Sequence, residues 1–159
     1  MKTAENHFID KSSWADGEWQ NEPDKIQYQD ETTGLPCQII RNSIGGFLCG
    51  YVGVSSSHPL YGKDYTEIAD DILVYGGVTY SDRRQPQMTE RENSYLIETQ
   101  ESDAVWWFGF HCGYGWDLVP MMGYFPSENH TYKNVDFVKV HNTLLGLQLN
   151  KYLLENPSG

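Results

Sequence analysis

Polar and apolar positions divide the chain into three zones. Residues 1–35 are polar and turn-rich, with Trp14, Trp19, Ile26 and Tyr28 as their only strong apolar anchors. "NEPDK" and "TTGLP" there carry turn-forming residues. An irregular acidic arm is expected over 1–35, pinned by its aromatics on a single domain at 36–159. The middle zone alternates as strands do. "CQIIRN" (37–42) and "GFLCGYVGV" (46–54) flank a short Gly-containing connection, the mark of a hairpin. "ILVYGGVTY" (72–80) is apolar and β-branched, with two glycines inside it that mark a bulge or a close approach. "YLIE" (95–98) and "AVWWFGFHC" (104–112) complete the strand set. The last is apolar on both faces, so it is expected at the sheet centre. Trp106 and Trp107 should face opposite sides, one of them under the C-terminal helix.

The third zone changes period. Phe137, Val140, Leu144, Leu147 and Leu154 recur at helical spacing once Lys151 joins them as a snorkelling member. Asn134 or Thr131 can cap the start, and Pro157 and Gly159 lie beyond the end. This predicts a helix of about five turns whose apolar stripe covers one face of a sheet. A short helical turn fits "DYTEIADD" (64–71). The fold class is α+β: about five mostly antiparallel strands with one long C-terminal helix on one face.

Composition narrows the classes. The 159 residues suit one domain, and an aromatic content of 14% argues against disorder. The start lacks a signal-peptide pattern, and no apolar run is long enough to span a membrane. Cys37, Cys49 and Cys112 are odd in number with no CxxC, so free thiols and a cytoplasmic location are expected. The net charge is −11, with eight acids against three lysines in residues 1–31. A chain of this sign repels phosphate backbones, so no nucleic-acid partner is expected.

Three segments combine Gly with His, Tyr or acid. They are "HPLYGKDY" (58–65, with His58, Tyr61, Lys63, Asp64 and Tyr65), "YGGVTY" (75–80, with Tyr75, Thr79 and Tyr80) and "HCGYGWD" (111–117, with His111, Tyr114 and Asp117). Arg83 and Arg84 form the only adjacent basic pair and suit an anionic ligand. The connection 55–71 is long enough for a crossover. A crossover would bring 58–65 and 111–117 to one end of the sheet; a plain meander would separate them. If the chain simply turns back, Tyr61 and Tyr65 cap the core and 58–65 is architecture. HExxH, paired-Cys, GxGxxG and Walker patterns are lacking, so neither metal nor cofactor is expected. Cys112 as a nucleophile would need a neighbouring base.

These segments, with "EPDKIQYQDETTGLPCQIIRN", "GGFLCGYVGV", "VWWFGFHC" and "YKNVDFVKV", resemble a family of small phage and bacterial proteins with no assigned activity. The resemblance runs over roughly 18–150 and implies a single cytoplasmic domain of phage or prophage origin. In that family the middle motif reads His-Gly-Gly-Leu-Thr-Tyr and the late one Asp-Cys-Ala-His-Ala-Gly-Asp. This chain has Tyr75, His111 and Tyr114 at the first His, the Asp and the second His, and keeps Asp117. The departures weaken metal or acid–base roles more than binding ones.

The reading is a small accessory protein that binds a host protein or a small nucleotide-like ligand and counteracts a host defence. The alternatives are a small hydrolase using His58, Asp64, His111 and Asp117, and an acidic DNA mimic or virion component.

Overall fold

The computed structural model describes residues 3–83, 105–114, 117–122 and 131–157. Among the described residues six strands form one sheet: β1 (Ala4–Asn6), β2 (Lys25–Gln29), β3 (Pro36–Arg41), β4 (Leu48–Ser55), β5 (Tyr80–Asp82) and β6 (Val105–His111). Their order is β1-β2-β3-β4-β6-β5, and every neighbouring pair is antiparallel. One helix, α1 (Val135–Glu155), packs against β3 and β4. The class is α+β as expected, with six strands rather than five.

The strands follow the period-2 pattern. Ile26, Ile39, Leu48, Val52, Val54, Phe108 and Phe110 join the core shared with α1. The other face carries Lys25, Gln27, Gln38, Cys49, Tyr51, Trp107 and His111, with cross-strand partners in register. Phe108 and Trp107 are both fully buried, which accounts for the unbroken apolar run in β6. The β3–β4 hairpin closes on Asn42, whose Oδ1 accepts the N–H groups of Ile44 (3.0 Å) and Gly45 (2.8 Å).

Four expectations need correction. First, 72–80 is not a strand up to Tyr80. Gly76 and Gly77 both have positive φ, which breaks extended pairing, and only Tyr80–Asp82 joins the sheet. Second, the arm is irregular over much of its length but supplies β1 and β2. Third, β4 and β5 both run antiparallel to β6, so they are parallel and their connection is a crossover. Yet β6 itself opposes β4: Ser55 pairs with Val105, and Cys49 with His111. The 58–65 and 111–117 segments therefore lie at opposite ends of the sheet. The residues 95–98 and Arg84 fall outside the described residues.

Fourth, the helix turns its other side to the sheet. Val138, Asn142, Leu145, Gly146 and Leu149 are buried, while Val140, Leu144, Leu147 and Leu154 are exposed. A polar and a small residue conceal the true seam. Asn142 Nδ2 donates to the Tyr28 hydroxyl (3.0 Å) and to the Gln38 carbonyl (3.3 Å). Gly146 lies directly against Thr33. Leu145 and Leu149 then each contribute about 1.5–3 kcal/mol of burial. Asn134 caps the start through Phe137 N–H (2.9 Å), and Asp136 in the first turn suits the helix dipole.

A buried ion cluster fastens the arm. Asp24 Oδ1 contacts Lys11 Nζ (2.7 Å) and Arg41 Nε (3.0 Å), and its Oδ2 accepts the N–H groups of Phe8 and Ile9 (2.8 Å each). Arg41, fully buried, also donates to the Gly46 carbonyl (2.8 Å), the Pro23 carbonyl (3.2 Å) and the Tyr132 hydroxyl (2.9 Å). Burial pushes the Asp24 carboxyl up, but the Lys11 hydrogen bond and the two backbone N–H groups outweigh it. Asp24 therefore lies below its ordinary 3.8.

Candidate functional site

Where β6 ends, the chain makes a turn that Asp117 closes. Its N–H donates to the Tyr114 carbonyl (2.9 Å), and its Oδ2 accepts the Tyr114 N–H (3.0 Å). Oδ1 accepts the Tyr75 hydroxyl and faces Lys133 Nζ at 3.3 Å. Asp117 is buried, and a buried carboxylate needs such compensation. The Lys133 ammonium also stands over the rings of Tyr75 (5.5 Å) and Phe137 (5.7 Å). Tyr75 in turn meets Phe137, His141 and Tyr114 edge to face. Its N–H donates to His141 Nδ1 at 3.3 Å. Burial holds the His141 imidazole below its ordinary 6.5.

Gly76 makes this meeting possible. Its φ of +71° favours glycine, and a Cβ there would lie 2.2 Å from the Tyr114 ring. The Tyr114 hydroxyl donates to the Gly76 carbonyl at 2.8 Å. So the 75–80 and 111–117 segments meet, joined backbone to ring.

His111 connects this cluster to the second face of the sheet. Its ring stacks on Tyr114 (4.2 Å) and tilts toward Phe47 (5.9 Å). Nδ1 accepts the Gly113 N–H at 3.2 Å, which places the proton of the neutral ring on Nε2. No described residue takes that Nε2 proton. Burial lowers the pKa of His111, and the Asp117 charge opposes the shift. Beside it opens a cleft of about 280 Å³ lined by Phe47, Cys49, Tyr51, Thr79, Tyr80 and His111. Gly109 makes room for one of its walls, Tyr51. A Cβ at Gly109 would come within 2.5 Å of the Tyr51 ring, which instead lies across the strand and meets Tyr80 at 5.1 Å. The Cys49 thiol is pushed up to about 12 by burial, so it is not a thiolate near neutral pH. Burial raises Cys112 as well, and the Asp117 charge adds to the rise, so this thiol too stays protonated near neutral pH.

The 58–65 segment stands apart. His58 is buried; its Nε2 bonds the Leu149 carbonyl (2.8 Å) and its Nδ1 accepts the Leu60 N–H (3.0 Å). Both ring nitrogens are thus committed to backbone. Asp64 caps the 3-10 turn Tyr65–Glu67 in a capping box with Glu67. Tyr65 packs on the core, Tyr61 lies 6.0 Å from the Trp106 ring, and the Lys63 carbonyl accepts Trp106 Nε1–H (2.9 Å). The Lys63 side chain and Arg83 are exposed. The chain crosses over here rather than turning back, yet His58 and Asp64 are spent on backbone groups and the segment serves as architecture.

Sequence reasoning missed Lys133, Phe137, His141 and Phe47. One signal was available: Lys133 sits just before a helix start, where the dipole disfavours a cation, which implies a specific acidic partner. Among the described residues no group of three or more His, Cys, Asp or Glu is placed to hold a metal ion. Comparison with family models, with curated proteins and with solved structures finds no match to this chain.

Proposed function

We propose that the chain is a binding protein for a small, flat heteroaromatic ligand seated in the cleft of Phe47, Tyr51, Tyr80 and His111. The observation that carries this reading is the pairing of aromatic walls with one imidazole N–H that no described residue accepts. Aromatic rings offer stacking and edge contacts, and the single donor fixes orientation. The volume of about 280 Å³ suits one or two fused rings. The net charge of −11 opposes polyanions, so a nucleobase or nucleoside fits better than a triphosphate. Acid–base catalysis is less well served. Asp117 is occupied by Tyr75, Lys133 and Tyr114, and His58 by backbone groups. Further support comes from the resemblance: the four positions where the resembled family carries His, Asp, His and Asp converge here as Tyr75, His111, Tyr114 and Asp117.

A panel of nucleobases, nucleosides and other fused-ring heterocycles, titrated while following the protein's NMR shifts, tests this. Binding should perturb residues on β4 and β6 and weaken at least tenfold in His111→Ala. Silence across the panel, or unchanged affinity in a Tyr51→Ala/His111→Ala double variant, would sink the proposal.

A further inference from the structure

We propose that the outward face of α1 docks a second copy of this chain, as an antiparallel helix pair about a two-fold axis. The surface is the stripe of Val140, Leu144, Leu147 and Leu154, which are 58%, 43%, 46% and 81% exposed. Four such side chains along one helix are more apolar surface than a solvated face needs. Their spacing, with Lys151 filling the gap, is a heptad seam. At about 100° per residue, Asp136, Val140, Leu144, Leu147, Lys151 and Leu154 fall within an arc of about 80°. That arc lies opposite the buried seam of Val138, Leu145 and Leu149.

Charge selects the occupant. The stripe is apolar in its middle and acidic near its start at Asp136, and it carries Lys151 near its end, with Glu155 one turn on beside the stripe. A parallel pair would set Lys151 on Lys151. A two-fold rotation instead packs Leu144 against Leu147 and Val140 against Lys151. It leaves each Lys151 ammonium one helical turn from Asp136 of the other copy. Lys151 is available for this contact, because its own ion pair with Glu155 is loose (3.8 Å) and exposed. The helix is about 31 Å long and about 10 Å across, so the footprint is on the order of 300 Å² per copy. A standard interface buries about 800 Å² per partner. The dimer is therefore weak and concentration-dependent. The proposal is independent of the cleft.

Analytical ultracentrifugation of the full chain from about 10 µM to about 1 mM, in physiological salt that screens the net charge, tests it. Wild-type average mass should rise with concentration. Leu144→Glu/Leu147→Glu should raise the dissociation constant at least tenfold, with circular dichroism melts showing that the variant stays folded. Asp136→Lys should weaken association several-fold, and adding Lys151→Asp should restore it to within about twofold. A monomer mass throughout, or glutamate variants that associate like wild type, would overturn the docking surface. Failure of the charge swap to restore association would overturn the antiparallel arrangement.

Discussion

Asp24 and Asp117 are both buried, and each pairs with a lysine and accepts backbone N–H. Their surroundings differ. Around Asp24 the compensation is closed: Lys11, Arg41 and two N–H groups fill its oxygens, and Arg41 spends its remaining donors on neighbouring carbonyls, Tyr132 and Glu22. Around Asp117 the cluster reaches His111 by the stacked Tyr114 ring, and no described residue takes the far nitrogen of His111, beside a cleft. Similar chemistry thus serves as a fastening in one place and as the backing of a candidate site in the other. Proximity to an uncommitted group and a cavity separates the two roles; charge and burial alone do not.

The largest expected effect tests the fastening. Asp24→Ala leaves buried Arg41 with only the more distant Glu22 carboxylate (3.5 Å) and Lys11 with none, and should cost about 3–5 kcal/mol in urea denaturation. Asp117→Ala should cost less, about 1–3 kcal/mol, because the Lys133 side chain is 14% exposed and can regain water. Equal losses would erase the distinction. Tyr75→Phe comes next, at about 0.5–1.5 kcal/mol, since it deletes one hydrogen bond and keeps the ring contacts. If the cluster backs the cleft, this variant should also move the His111 imidazole signals; unchanged signals would argue against that link.

The smallest effect is in pH. His111 and His141 are held below their ordinary 6.5, so the folded state takes up protons less readily than the unfolded chain. Their stability contribution is full above about 6.5 and falls as pH drops below it. Both rings are partly exposed, which keeps the loss small. The lowered Asp24 acts in a separate window. Its contribution is full above about 3.8 and is lost as pH falls through its lower folded value. Thermal melts of a His111→Gln/His141→Gln variant should flatten the upper window and leave the lower one intact. A wild-type midpoint that rose on acidification from pH 7 to 5 would contradict this sign.

Much of the fold was legible because periodicity reports element type. The β3–β4 hairpin and β6 follow from alternation and turn residues, and α1 from its caps. Partner direction is a different matter. Nothing in residues 104–112 says that β6 opposes β4, and that one fact decides that His58 and His111 lie apart. The helix face was hidden for a related reason. Asn142 reads as solvent-facing until Tyr28 and the Gln38 carbonyl, more than 100 residues away in sequence, receive it. Apolar spacing therefore selected the opposite, exposed stripe. Arg41 and Asp24 were illegible as core residues by the same logic, since each is affordable only with distant partners. The part of the site carried by 75–80 and 111–117 was visible as Gly-rich, polar-aromatic segments. The Phe47 wall and the contribution of Lys133, Phe137 and His141 were not, because they arrive from other elements.

Glu22 sets the order in which the chain can be completed. Its Oε1 accepts the Tyr132 hydroxyl (2.5 Å), and its Oε2 accepts the N–H of Val135, the first residue of α1. More than 100 residues separate these groups along the chain. On a ribosome, β2, β3 and β4 can pair soon after they emerge, but Glu22 and Arg41 wait for Tyr132 to be made. Such long-range closure slows folding. Until the chain has grown past residue 135, the Glu22 carboxylate and the Arg41 guanidinium lack these partners.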